Sequence, residues 1–266
     1  MDSIRKPLFR EFGQNLLLSV LIFTAFFVVL YVVEYFCPAL SGKLLQWHTS
    51  TGALNQAFII GIPASVFGTA YVLIIRNPRN YTGFYLGVTM SLLLAAKFYM
   101  LGTIDQMILY LFIFVPFQLK SLFGWRKNTL NPVEGQSELR PKYLDTKGFV
   151  LEIVALCILI ALDFVLITFT GDNHELFADW HIKLASGLVI ASSFLANLLL
   201  IWQKNDAWMW WVVYSIAGIV LFSFLFDPFL IVLNVMFLLI NGNAHIAWIK
   251  MTQPGDFGWA RFIFRK

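Results

Sequence analysis

Charge is scarce in this sequence: 13% of its 266 residues are Asp, Glu, Lys or Arg, against 59% hydrophobic. So little charge cannot build a water-soluble surface, which excludes a soluble globular protein and leaves a membrane protein. Cysteine is nearly absent too. Cys37 falls at the end of one apolar run and Cys157 deep within another, with no motif spacing, so neither a disulfide nor a metal site is indicated. The histidines His48, His174, His181 and His245 are scattered and lack His-Glu-x-x-His spacing. A Gly-x-x-x-x-Gly-Lys loop is missing as well, so direct ATP drive is not supported. No metal ion or other cofactor is expected.

Long apolar runs, by contrast, are abundant. A transmembrane helix needs about 20 mostly apolar residues, and eight such runs are read at 16–36, 57–75, 81–101, 104–124, 149–170, 184–202, 208–226 and 229–249. They are too long and too continuous for transmembrane strands, which alternate over about 10 residues. An all-α integral membrane fold with eight transmembrane helices is expected. The first run follows Arg5, Lys6 and Arg10 as a secretory signal would, but its apolar core exceeds about 15 residues and lacks a small-x-small cleavage site, so it is read as a helix.

Orientation follows from lysine and arginine, since positively charged loops stay in the cytoplasm. With the N-terminus inside, the inner segments include Arg76, Arg79, Arg126, Lys127, Lys204 and Lys250, whereas the outer ones hold only Lys43 and Lys183. The outer loop 171–181 is acidic through Asp172, Glu175 and Asp179. Both termini are therefore expected in the cytoplasm. The net charge of +4 needs no nucleic-acid partner.

The chain repeats itself around a polar cytoplasmic linker, "RKNTLNPVEGQSELRPKYLDTK". "LIIRNPRNYTGFYLGV" precedes two spans ending "FQLKSLFGWRK", and "LIWQKNDAWMWWVV" precedes two spans ending "INGNAHIAWIK". Each unit has three helices, one helix separates them, and both units enter the membrane in the same sense. A 3+1+3 parallel-repeat bundle with one additional N-terminal helix results, an arrangement that places a substrate site between halves. The divisions are 1–53 (N-terminal helix and outer loop), 54–127 (first repeat), 128–181 (linker, linker helix and outer loop), 182–251 (second repeat) and 252–266 (cytoplasmic tail).

Matched ends point to a site. Trp125 and Trp248 stand one and two residues before a basic residue, Arg126 and Lys250, and close the last helix of a unit, and Gln118 and Asn241 lie seven residues before them. At the rise of an α-helix both amides sit about 10 Å inside that face. Lys120 and Asn243 form a second matched pair. Trp211 reaches a similar depth, and Asn234 lies two helical turns from Asn241 on the same face. An unpaired amide in hydrocarbon costs several kcal/mol, so these groups should face protein, water or ligand. Interhelical hydrogen bonding is the alternative for each of them. Within "NDAWMWWVV", Trp208 and Trp211 share a face, while Trp210 is about 200° round from Trp208 and is expected in the interfacial aromatic belt.

Trp-x-x-Trp opening the penultimate helix, with "VPFQLKSLFGWRKN" and "NGNAHIAWIKM", resembles the PnuC family of bacterial vitamin transporters over roughly 57–251. The resemblance implies a SWEET-like fold, a homotrimer in the bacterial cytoplasmic membrane, and nicotinamide riboside as the solute, with relatives carrying thiamine or riboflavin. It implies that Trp208 and Trp211 enclose the flat ring and that Gln118, Asn234 and Asn241 bind the polar parts. Gln106 and Tyr110 meet the family pattern only approximately, as does Asp105. Gln106 and Gln118 differ by about 120° around an ideal helix, so both line one cavity only if the helix bends, which Pro116 permits. A further departure is Ser215, where many members have Asn. Facilitated diffusion is implied, with a separate cytoplasmic kinase trapping the vitamin as its phosphate.

Lys97 and Asp163 are the deepest ionisable residues and are the candidates for ion coupling. Lys97 is near enough to the outer face to be expected to snorkel. Two other classes remain open on the sequence. One is an integral-membrane enzyme such as a lipid-modifying transferase, against which the membrane carboxylates are isolated; the other is a scaffolding subunit, which leaves the matched polar layer without a purpose.

Overall fold

The computed structural model describes residues 2–36, 53–130, 141–170, 179–224 and 227–263. Cys37, Lys43, His48, Asp172, His174 and Glu175 lie outside the described residues. The chain is helical throughout the described residues apart from turns and one isolated bridge between Lys142 and Lys204. The helices are α1 (Asp2–Phe36), α2 (Ala53–Ile75), α3 (Gly83–Leu101), α4 (Ile104–Ile108), α5 (Val115–Leu130), α6 (Thr146–Thr170), α7 (Trp180–Ile201), α8 (Asp206–Phe224) and α9 (Pro228–Met251). A π-helical segment, Leu109–Phe114, joins α4 to α5 without a break. Among the described residues, seven helices are long and apolar enough to cross a membrane; the apolar stretch of α2, Ile59–Ile75, is shorter.

Burial sorts these helices into a centre and a margin. In α7, 67% of the apolar window is buried, whereas in α1 and in α6 the figure is 17%, so the latter two flank the bundle. Helix α2 packs mainly on α3, α7 on α8 and α8 on α9, while α2 also meets α9 and α5 meets α7.

Local chemistry sets the turns. Asn80 Oδ1 accepts from the Thr82 backbone N–H at 3.1 Å and from its hydroxyl at 2.6 Å, and the Asn77 and Asn80 amides donate to Glu11 Oε2 at 3.1 and 2.9 Å. This clips the α2–α3 turn to α1. Gly102, at φ +76°, ends α3 in the left-handed conformation that glycine adopts without steric cost. Asp227 caps α9 by accepting from Leu230 N–H at 3.1 Å, with Pro228 at the first helical position. Immediately before Pro116 the backbone widens, and Val115 N–H bonds Tyr110 O five residues back. A proline ring clashes with the carbonyl four residues earlier, and a π turn relieves that clash. The expected bend is therefore a wide turn ahead of the proline.

Basic residues gather at one end of the bundle. There Thr129 Oγ1 donates to Arg79 O at 3.1 Å, Asn205 N–H to Lys142 O at 2.9 Å and Trp248 Nε1 to Arg76 O at 2.9 Å. At the opposite end Lys97 corrects the expectation of a snorkelling amine. It is 1% exposed and ion-paired with Asp227 of α9. A buried ammonium is tolerable only beside an opposite charge, and the partner lies 130 residues away in sequence.

Candidate functional site

Helix α8 sets its three tryptophans in three directions. Trp211 looks inward, 3% exposed, with its ring 5.2 Å from Tyr214 and 6.3 Å from Phe114, both edge to face. Trp208 is fully buried and meets Trp248 of α9 at 5.4 Å. Trp210 is a correction. It is not in an interfacial belt but 4% exposed, and its indole N–H donates to Glu152 Oε2 of α6 at 3.1 Å. The flanking helix α6 covers the face on which the interfacial belt was expected.

Two serine–amide pairs occupy the matched layer. Ser91 of α3 donates to Gln118 Oε1 of α5 at 3.2 Å, and Asn241 Nδ2 of α9 donates to Ser215 Oγ of α8 at 3.3 Å. The members are 27 and 26 residues apart, nearly the same spacing along the chain. Asn241 Nδ2 also donates to Trp211 O at 3.3 Å, and Ser215 Oγ donates to the same carbonyl at 2.7 Å. Ser215 thus holds Asn241 against the helix that carries Trp211. Neither serine was singled out as a site residue from sequence, because serine gives no hydropathy signal; its spacing from the matched amide could have found it.

In and around the layer, polar atoms are left over. Trp208 Nε1, Trp211 Nε1, Gln118 Nε2, Asn234 Oδ1, Asn241 Oδ1 and Tyr71 Oη are buried with no hydrogen-bond partner among the described residues. Each such atom costs about 1–3 kcal/mol if it stays unsatisfied. Asn234 back-bonds Leu230 O at 2.7 Å, and its carboxamide lies directly over Gly218, where a Cβ would collide with it. Donors and acceptors together suit a solute that carries both.

The remaining expected residues are placed differently. Tyr110 stacks on Phe98 at 5.5 Å, and its hydroxyl meets that of Tyr214 at 3.1 Å, which joins the π segment to α8. Tyr214, one turn beyond Trp211, was missed, although its spacing could have shown it. Gln106 turns to α7 and donates to Ser186 Oγ at 3.4 Å, whereas Gln118 turns to α3. The two glutamines are not brought to one partner. Lys120 and Asn243, the second matched pair, are exposed on the outside of their helices.

Below the layer, at the basic end, Trp125 and Trp248 lie 6.1 Å apart and bond reciprocally. Trp125 Nε1 of α5 donates to Leu200 O of α7 at 3.0 Å, while Trp248 Nε1 of α9 donates to Arg76 O just beyond α2.

A family model described as nicotinamide mononucleotide transporter matches residues 58–250, which contain every one of these groups. The chain belongs to that transporter family. In fold the chain is similar to a solved structure, the crystal structure of the vitamin B3 transporter PnuC. The match is 19% identical with a TM-score of 0.59, covering 90% of this chain and 96% of that one. No curated protein matches the sequence. Membership of a transporter family withdraws support from the lipid-modifying-enzyme reading. The matched span begins in α2 and ends in α9, so α1 lies outside it.

Proposed function

We propose that the chain takes up nicotinamide riboside by facilitated diffusion across the bacterial cytoplasmic membrane, with the basic end inside. Two like-facing three-helix units, 54–127 and 182–251, rock about the layer between them. The segment 128–181 carries the linker helix, α2 completes an eighth span, and 1–53 and 252–266 flank the repeat, with both termini cytoplasmic. A homotrimer and a cytoplasmic kinase that traps the product complete the reading.

One observation carries it: indole N–H, amide N–H and amide oxygen groups, all buried and unpartnered, at the level of the serine–amide pairs. Trp211 supplies a face for a flat ring, and the amides supply both senses of hydrogen bond. Lys97 is the one buried lysine or arginine among the described residues, and it is committed to Asp227 at the opposite end. A phosphate dianion would therefore meet no cation in this layer, which favours the riboside over its phosphorylated form.

The test is calorimetric titration of the purified protein with nicotinamide riboside, nicotinamide mononucleotide, thiamine and riboflavin. Saturable binding of the riboside alone is expected, weakened about 30-fold or more by Trp211→Ala, as for loss of an aromatic anchor. Binding of thiamine or riboflavin instead would reassign the solute. Silence for all four would remove the uptake reading. Accumulation in liposomes against a gradient, driven by an imposed ion gradient, would overturn the passive mechanism.

A further inference from the structure

The two serine–amide pairs give a register between the halves, and that register exposes an asymmetry. Four residues before Ser215 stands Trp211; four residues before Ser91 stands Gly87. Where the second half presents an indole, the first presents no side chain at all. The space is taken from another helix. A Cβ at Gly87 would stand 2.9 Å from Tyr71 Cδ2, 3.0 Å from Tyr71 Cε2 and 3.1 Å from Gln118 Cδ. The ring of Tyr71, on α2, therefore lies over Gly87 and beside the Gln118 carboxamide.

Tyr71 is 1% exposed, and its hydroxyl has no partner among the described residues. The neighbouring Gln118 Nε2 is unpartnered too, although Gln118 Oε1 is taken by Ser91. A buried phenol normally finds a hydrogen-bond partner. Elsewhere in the bundle the hydroxyls of Ser215, Ser223, Thr89 and Thr168 are satisfied by carbonyls one turn back on their own helices. A tyrosine hydroxyl stands too far from its own backbone for that, so a partner has to come from across the layer.

We infer that Tyr71 is a ligand-contacting residue, whose hydroxyl and the adjacent Gln118 N–H bind the hydroxyl-bearing sugar of a ring-plus-sugar solute. The flat ring of that solute lies against Trp211. The inference rests on the reading of the layer as a nucleoside site and divides it chemically: indole and asparagines on one half for the ring and its carboxamide, phenol and glutamine on the other for the sugar. Gly87 is what makes the division possible. Any larger side chain there would displace the Tyr71 ring or the Gln118 carboxamide.

The experiment is calorimetric titration of the full-length protein in detergent, wild type and Tyr71→Phe, with nicotinamide riboside and with nicotinamide, which lacks the sugar. In Tyr71→Phe the dissociation constant for the riboside is expected to rise about tenfold, the effect of one lost hydrogen bond, with that for nicotinamide unchanged within about twofold. Thermal unfolding without ligand should be unchanged, since no bond within the protein is lost. Gly87→Ala, which shifts the ring and keeps the hydroxyl, should also weaken the riboside more than nicotinamide. Wild type that binds the riboside while Tyr71→Phe binds it equally well would overturn the inference and leave the proposed function standing. Equal weakening of both ligands would overturn it too, as the mark of a structural role. Wild type that binds neither would remove the proposed function itself.

Discussion

At the basic end of the bundle, Trp125, Trp248 and Trp208 form one aromatic cluster, and two indole N–H groups bond carbonyls of α7 and of the chain just beyond α2. At the opposite end, α3 and α9 are joined by the ion pair of Lys97 with Asp227. The two closures differ in what opening would cost. A buried tryptophan hides roughly 150–250 Å², worth about 4–6 kcal/mol at 25 cal/mol per Å², and water does not compensate its exposure. An ion pair in a low-dielectric interior has already lost most of its Coulomb gain to desolvation, so entering water restores nearly what separation removes. In the proposed rocking of the two units, the end held by charge would therefore be the cheaper one to open, and the end held by indoles the firmer.

The largest effect that could break this contrast comes from Lys97→Met. It leaves the Asp227 carboxylate buried without its counter-charge, and thermal unfolding in detergent should show a loss of about 3–5 kcal/mol. Adding Asp227→Asn should recover most of it, because asparagine neutralises the site and still caps α9. If the single variant melted with the wild type, the ion pair would not be what holds that end.

Next in size are Trp125→Phe and Trp248→Phe, which keep a ring in the cluster and remove one N–H each. The stranded Leu200 or Arg76 carbonyl should cost about 1–2 kcal/mol in each case. Because the bonds are reciprocal, the two losses should agree. A several-fold difference would mean that the two bonds do not hold the cluster evenly.

Much of this was legible in the sequence, and what was missed has a common cause. The helices were readable because crossing a bilayer requires long apolar runs, and the amides Gln118 and Asn241 because they stand out in hydrocarbon. Faces were less readable, since a helical wheel fixes angles between residues but not which neighbour covers each angle. The wheel alone leaves Trp210 to the interfacial belt because it does not show α6, and Lys97 to the headgroups because it does not show an aspartate 130 residues on. Ser215, met first as a departure from the family pattern, bonds Asn241 in the folded chain. Pro116 announced a bend but not that six residues before it would adopt π geometry and carry Tyr110 to Tyr214.

The smallest global effect belongs to the strap across the basic end. The turns Pro254–Asp256 and Gly258–Phe262 fold back over the chain entering α6: Tyr143 N–H donates to Asp256 O and Trp259 N–H to Leu144 O, each at 2.9 Å. Trp259 also stacks on Phe149 at 4.1 Å and donates from its indole to Asp206 at the start of α8. Burial, reinforced by the nearby Asp206 charge, pushes the Tyr143 hydroxyl up, so it stays protonated against His245 Nε2 at 2.8 Å. Everything turns on Gly258, at φ +47°, where a Cβ would run into the Leu144 carbonyl oxygen. Gly258→Ala should therefore release the strap, seen as fast hydrogen exchange at the Tyr143 and Trp259 amides, while global stability falls by only about 1 kcal/mol, as for the local opening of a terminal segment. The rings of Trp125, Trp208 and Trp248 pack on one another and not on the strap, so the cluster should hold the end closed without it. A fall as large as that of Lys97→Met would show instead that the indoles close this end only while the strap presses on them.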